Sequence, residues 1–265
     1  PHSIFKAIDC FRESQVSKFV RGELVDVVEA VLHFWATWAE PDVLKTSPDL
    51  VSFVNHRRFL DEVEEALVPL SKIMDYLEEL EKLGFFPGSL PSAESESHPP
   101  ANEPDESTPA SHKAPPPDSS AESASRADSC LPPLQQATSP GLFSVFDLCA
   151  GKGFFSLLLA SVTPEIPLLR RWIRQVAMLD RSGRGQALCL AHVDASNASG
   201  RALPIHFVQG NMFDDDIDQT MGVEPTSRCI FVAVHLCKLL SSRAVELFAR
   251  MDRVDLLALS PCCVP

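Results

Sequence analysis

From Leu142 onward the chain alternates short apolar runs with stretches of helical period, and this pattern leaves few folds open. Strand-like runs fall at Leu142–Cys149, Gln175–Asp180, Ile205–Val208, Cys229–Val234 and Val254–Ser260. Helical stretches fall at Gly153–Val162, Gly185–Asn197 and Leu240–Met251. Strands separated by helices call for βαβ units, and so for a parallel sheet with right-handed crossovers. The runs FSVFDL and DLLALS are apolar almost throughout, as strands covered on both faces must be. The expected fold is α/β, a Rossmann-like doubly wound parallel sheet preceded by a small helical region.

Residues 1–86 read as that helical region. Phe59, Val63, Leu67, Leu70, Met74, Leu77 and Leu80 recur at three- and four-residue steps and mark one helix face. Pro69 is expected to kink this helix or split it. Gly84 suits the left-handed residue that closes it. Ser47-Pro48-Asp49 reads as the cap, first turn and early acid of another helix. Leu24 to Trp38 is a further apolar stretch at helical spacing. The region serves as a cap, or as a surface for a protein partner.

Residues 87–140 differ in kind. They hold 12 of the 22 prolines, and no Phe, Trp or Tyr. Such a segment buries too little apolar surface to offset its ordering entropy, and a disordered linker is expected. The remaining part, 141–265, is then the second domain.

Charge narrows the partners. Lys plus Arg against Asp plus Glu stands at 9 against 16 over residues 1–86, 2 against 8 over 87–140 and 12 against 12 over 141–265. No broad basic surface for unspecific nucleic-acid binding follows. Arg170, Arg171 and Arg174 form either a solvated helix face or a local basic patch. The eight cysteines include no C-x-x-C pair, which argues against a zinc site and a disulfide framework and for reduced thiols in the cytoplasm or nucleus. No apolar run reaches the roughly 18 residues of a membrane span.

The sharpest motif is Val145-Phe146-Asp147-Leu148-Cys149-Ala150-Gly151-Lys152-Gly153-Phe154-Phe155-Ser156. A strand ends in an acid, turns through two glycines and enters a helix. Ligands of open α/β sheets bind beside such a turn, at the carboxyl ends of the strands. An acid at its head suits an amine-bearing cation better than a pyrophosphate. A purely structural turn fits the same residues. A dinucleotide site would want a third glycine where Ser156 stands.

Other candidates lie at the ends of later strands. Asp180 closes the second strand, where it suits a ribose diol or a loop cap. Asn211 and Met212 follow the third, with the solvated run Asp214-Asp215-Asp216 behind them. His235, Cys237 and Lys238 follow the fourth. Cys262 and Cys263 follow the fifth.

Together these segments resemble the class I S-adenosylmethionine-dependent methyltransferases. His235-Leu236-Cys237 and Pro261-Cys262-Cys263 resemble one branch, which includes the tRNA acceptor-stem 2′-O-methyltransferases and related domains. The resemblance covers residues 142–265. It implies S-adenosylmethionine as cofactor, with Asp147, Cys149, Gly151 and Gly153 around its methionine part, Asp180 on the ribose, and Asn211 and Met212 at the adenine. It implies a transfer pocket lined by His235, Cys237, Cys262 and Cys263, and RNA as the acceptor class. His235, whose ordinary pKa lies near neutral, is the candidate base, and Lys238 is an alternative group to orient an anionic acceptor. Two positions depart from the family: Cys149 and Lys238 stand where glycine is usual. The fold's usual sheet has seven strands, so two more are expected beyond Pro265. A non-catalytic binding module on the same fold is the alternative.

Overall fold

The computed structural model describes residues 3–14, 16–39, 48–87, 141–183, 186, 203–222, 227–236 and 238–260. Five strands form one parallel sheet: β1 (Phe143–Leu148), β2 (Ile173–Asp180), β3 (Ile205–Gln209), β4 (Arg228–Val234) and β5 (Val254–Ser260), in the order β3-β2-β1-β4-β5. The chain steps outward from β1 to β2 and β3. It then returns to the other side of β1 for β4 and β5. The direction of winding therefore reverses between β1 and β4, and an open α/β sheet places its ligands at that switch point. The fold is α/β and Rossmann-like, with a helical region before the sheet.

Before the sheet come α1 (Ser3–Phe11), α2 (Gly22–Ala36), α3 (Pro48–Val54) and the long α4 (Phe59–Lys82). Within the α/β part lie α5 (Phe154–Val162), α6 (Pro167–Trp172), α7 (Ile217–Thr220) and α8 (Leu239–Arg250). The helix α6 occupies the stretch between α5 and β2, and Pro167 opens it at a position where a missing N–H costs nothing. The linker from residue 88 to 140 and most of the helix expected at Gly185–Asn197 lie outside the described residues.

The sheet separates two layers of core, and strand alternation sorts the side chains between them. Phe143, Val145, Ile230 and Val232 face one layer, shared with α1 to α6. Phe146, Leu148, Phe231 and Ala233 face the other, shared with α8 residues Ala244 and Leu247. The helical region and the sheet therefore bury one continuous core rather than two.

α4 makes that union. Phe59, Val63, Leu67, Leu70, Met74 and Leu77, the face expected from the spacing, are all buried. Ala66 and Ile73 are buried as well, because the helix packs on β5, β4, α5 and α6 as well as on α1. Of the two expected outcomes at Pro69, the split does not occur: one helix runs through it. Pro69 is itself buried, so packing on its own face holds the turn that proline would otherwise loosen. The end closes as expected: Gly84 takes φ +83°, its N–H donates to Glu81 O and Phe85 N–H donates to Leu80 O. That pair of bonds satisfies carbonyls the last turn leaves open.

An aromatic cluster joins α2 and α3 to the start of α5. Phe53 stacks on Phe154 with ring centroids 4.2 Å apart, and Phe59 meets the same ring edge-on at 5.4 Å. Trp35 stacks on Trp38 and meets Phe53 and Phe59. Phe53→Ala is expected to cost about 3–5 kcal/mol, the usual toll for emptying a buried aromatic site. Because the core is shared, far-UV circular dichroism and tryptophan fluorescence should report one coincident unfolding transition. Two separate transitions would contradict a single core.

Candidate functional site

The carboxyl ends of β1 and β4 open into a cavity of about 650 Å³, within the range of small-molecule sites. Asp147, Cys149, Ala150, Gly151 and Lys152 form its floor, with Val234 and His235 beside them. His56, Arg58, Glu62 and Glu65 form the opposite wall. The floor comes from the α/β part and the wall from the helical region.

The floor is built around a sharp turn. Cys149, Gly151 and Gly153 take φ of +59°, +57° and +73°. Only glycine adopts this left-handed backbone freely. At Gly153 a Cβ would also displace the Met178 side-chain end on β2, a second and smaller reason for glycine there. Ala150 N–H donates to Leu179 O and Gly153 N–H to Ala150 O, which holds the turn against β2.

Asp147 points to the layer that holds α4 and α5, because it shares a face with Val145. It is 3 % exposed, and the Ser156 hydroxyl of α5 donates to its Oδ2 at 2.7 Å. Burial pushes its carboxyl up to about 7, against the opposing pull of Ser156. Cys149 is also pushed up, to about 11, chiefly by burial, so it remains a thiol at neutral pH and not a thiolate nucleophile. Its Sγ lies 3.1 Å from Met212 Sδ.

Asp180 closes β2 as expected, and its carboxylate is engaged with its own chain. Its Oδ2 accepts from Gly151 N–H at 2.9 Å, while its Oδ1 accepts from Ser182 N–H and the Ser182 hydroxyl. Gly210 N–H donates to its backbone carbonyl, so this residue ties the turns after β1 and β3 together. Asn211 caps its own loop, accepting from Phe213 N–H. Met212 is 2 % exposed and packs in the second core layer. Asp180, Asn211 and Met212 are not among the residues that line the cavity.

His235 lines the cavity with a backbone φ of +63°, anchored by its N–H on Ser260 O. Its Nε2 lies 3.4 Å from Glu62 Oε2 and closer still to Glu65 Oε2. Lys238 is exposed and also left-handed, with φ +55° and ψ −123°. Cys237, Cys262 and Cys263 lie outside the described residues. The three arginines weighed as a patch sit elsewhere: Arg171 pairs with Glu81, Arg174 donates to Ser227, and Arg170 reaches Pro164 O. All three stand at the opposite, amino-terminal end of β2.

Glu62, Glu65 and His56 were not singled out from the sequence. Their signal was present in Glu62 and Glu65, two acids three residues apart on one helix face. Helix surfaces carry such pairs routinely, and only the packing of this side of α4 against the end of β4 turns this one inward. Comparison of the chain with protein-family models, with characterised proteins and with solved structures finds no match.

Two outcomes are expected. The folded pKa of Asp147 is raised, so its contribution to stability is full below about pH 4 and is lost as pH rises through about 7. Asp147→Asn keeps the acceptor for Ser156 and removes the charge. Chemical denaturation should find the variant more stable than the parent by up to about 4 kcal/mol at pH 8, with the two converging near pH 4. Lys238→Gly should add about 1 kcal/mol by relieving a backbone that side chains resist, read as a raised Tm.

Proposed function

We propose that this chain is an S-adenosylmethionine-dependent methyltransferase whose methyl acceptor enters the cavity between the sheet and α4. The observation that carries this reading is the left-handed turn from Cys149 to Gly153, headed by the buried acid Asp147, at the switch point of a β3-β2-β1-β4-β5 parallel sheet. Both positions that depart from the family's glycines, Cys149 and Lys238, keep a positive φ. They carry the backbone of glycine without the residue, which supports descent from such a turn.

The residues at the floor fit the amino-acid part of the cofactor. Asp147 would face its ammonium group, and the turn would let it approach the backbone closely. Asp180 would hold the ribose, with Asn211 and Met212 toward the adenine. Asp180 has room for that role only in part, since three hydrogen bonds already reach its carboxylate. The cofactor supplies an electrophilic methyl group, and the protein binds, aligns and desolvates the partners. A hydroxyl or amine acceptor sheds a proton as its new bond forms. The His235 imidazole, on the cavity wall at the end of β4, is the group placed to take it. RNA is the acceptor class to test first, on the family resemblance alone.

The engaged carboxylate of Asp180 and the buried Met212 favour one other reading, a binding module that keeps the fold without turnover. Calorimetry with S-adenosylhomocysteine separates the two. The proposal expects one site per chain, weakened at least tenfold by Asp147→Asn at pH 8. His235→Ala should leave that affinity within a few-fold and cut methyl transfer by about 10²–10⁴. No heat of binding to the complete, folded chain would leave the module.

A further inference from the structure

The wall of the cavity carries a second feature. Glu62 and Glu65 stand three residues apart on α4, on the side that meets the end of β4. One carboxylate oxygen from each and one ring nitrogen of His235 all lie within 4.8 Å of one another. Oxygen and nitrogen ligands of a first-row divalent ion sit about 2.1 Å from it, which sets neighbouring ligand atoms of a tetrahedral site about 3.4 Å apart. Glu62 Oε2 and His235 Nε2 are separated by 3.4 Å. Glu65 Oε2 is enclosed and meets the same His235 nitrogen directly, a closer approach than two ligands of one ion make, so its carboxylate would turn slightly aside to admit an ion. Two half-buried carboxylates side by side repel each other unless something positive lies between them. Arg58, on the same cavity wall, offers part of that charge, 3.4 Å from Glu65 Oε1, and shares it with Asp61 at 3.1 Å.

We propose that Glu62, Glu65 and His235 hold a divalent metal ion on the cavity wall, with its remaining positions open to an oxygen-bearing ligand. Three protein ligands with open positions is the pattern of sites that engage a ligand, where structural sites are closed by four. Two oxygens and one imidazole nitrogen suit Mn²⁺ or Zn²⁺ better than Mg²⁺ or Ca²⁺, which prefer oxygen alone. The three ligands come from both sides of the cleft, so the ion also joins the helical region to the sheet. This inference deepens the reading of the cavity as a transfer site, because a bound ion would select acceptors that carry a hydroxyl or phosphate oxygen. The ion site stands or falls without the cofactor. It also excludes one role: an imidazole whose Nε2 holds a metal cannot take a proton there.

Electron paramagnetic resonance of Mn²⁺ titrated into the complete chain at pH 7.5 is the test. One bound ion per chain is expected, displaced by Zn²⁺. Glu62→Gln and Glu65→Gln should each weaken it at least tenfold, while Glu246→Gln, on the exposed side of α8, should leave it unchanged. In the parent chain labelled with ¹⁵N-histidine, substoichiometric Mn²⁺ should broaden the His235 ring signals, a readout that needs no variant. Undisturbed His235 signals, or equal affinity in the parent and both Gln variants, would overturn the metal site and return His235 to the role of base. Cofactor titration by calorimetry without metal reports on the methyltransferase reading separately.

Discussion

The helix from Phe59 to Lys82 crosses the sheet and is gripped at both ends. At one end Glu81 accepts from Trp172 Nε1 at 2.9 Å and pairs with Arg171. At the other, Glu62 and Glu65 meet His235 at the tip of β4. Between these polar anchors a broad apolar face is buried, and a narrow stripe through Val68, Lys72 and Asp75 meets solvent. The polar contacts contribute little on their own, since partly exposed ion pairs are worth at most about 1 kcal/mol. Burial supplies the energy, and the anchors set the register. A helix slid by one turn would carry both glutamates about 5.4 Å away from the cavity.

The site shows the tension that functional positions impose on a fold. Asp147 is a buried acid with a raised pKa, and the backbone at Cys149, His235 and Lys238 is left-handed without glycine. Each of these features lowers stability, and they stand together at the carboxyl end of the sheet. Strain and buried charge persist where surrounding structure over-determines them. Here the shared core beneath, closed by Phe53, Phe59 and Phe154, provides that support.

Most of the sheet was legible from residue order. The five strands lie within two residues of their expected limits, because continuous apolar runs such as FSVFDL have no other stable place than a doubly covered sheet. The turn at Asp147–Gly153 was legible for the same kind of reason, since two glycines after an acid restrict the backbone choices. What could not be read was contact across the chain. Glu62 and Glu65 look like solvent charges until their side of α4 is seen to pack against the end of β4. Pro69 looked like a breaker because local rules omit the packing that holds it. The cost remains local: proline donates no N–H, so the backbone carbonyl of Glu65 loses its helical partner one turn back, directly at the cavity wall. The burial of Met212 was not legible either, since alternation in a short loop does not say which side is inward.

The continuous core has a further meaning for chain connectivity. The helices that precede residue 88 and the sheet that follows residue 140 are two pieces of one interior. Residues 88–140 lie outside the described residues; closing the chain across any connection of that kind carries an entropic cost that grows only slowly with its length. Doubling its length would cost only about 0.6 kcal/mol. Sequence in that stretch is thus free to drift, lengthen or acquire sites for modification with little penalty to the fold it connects.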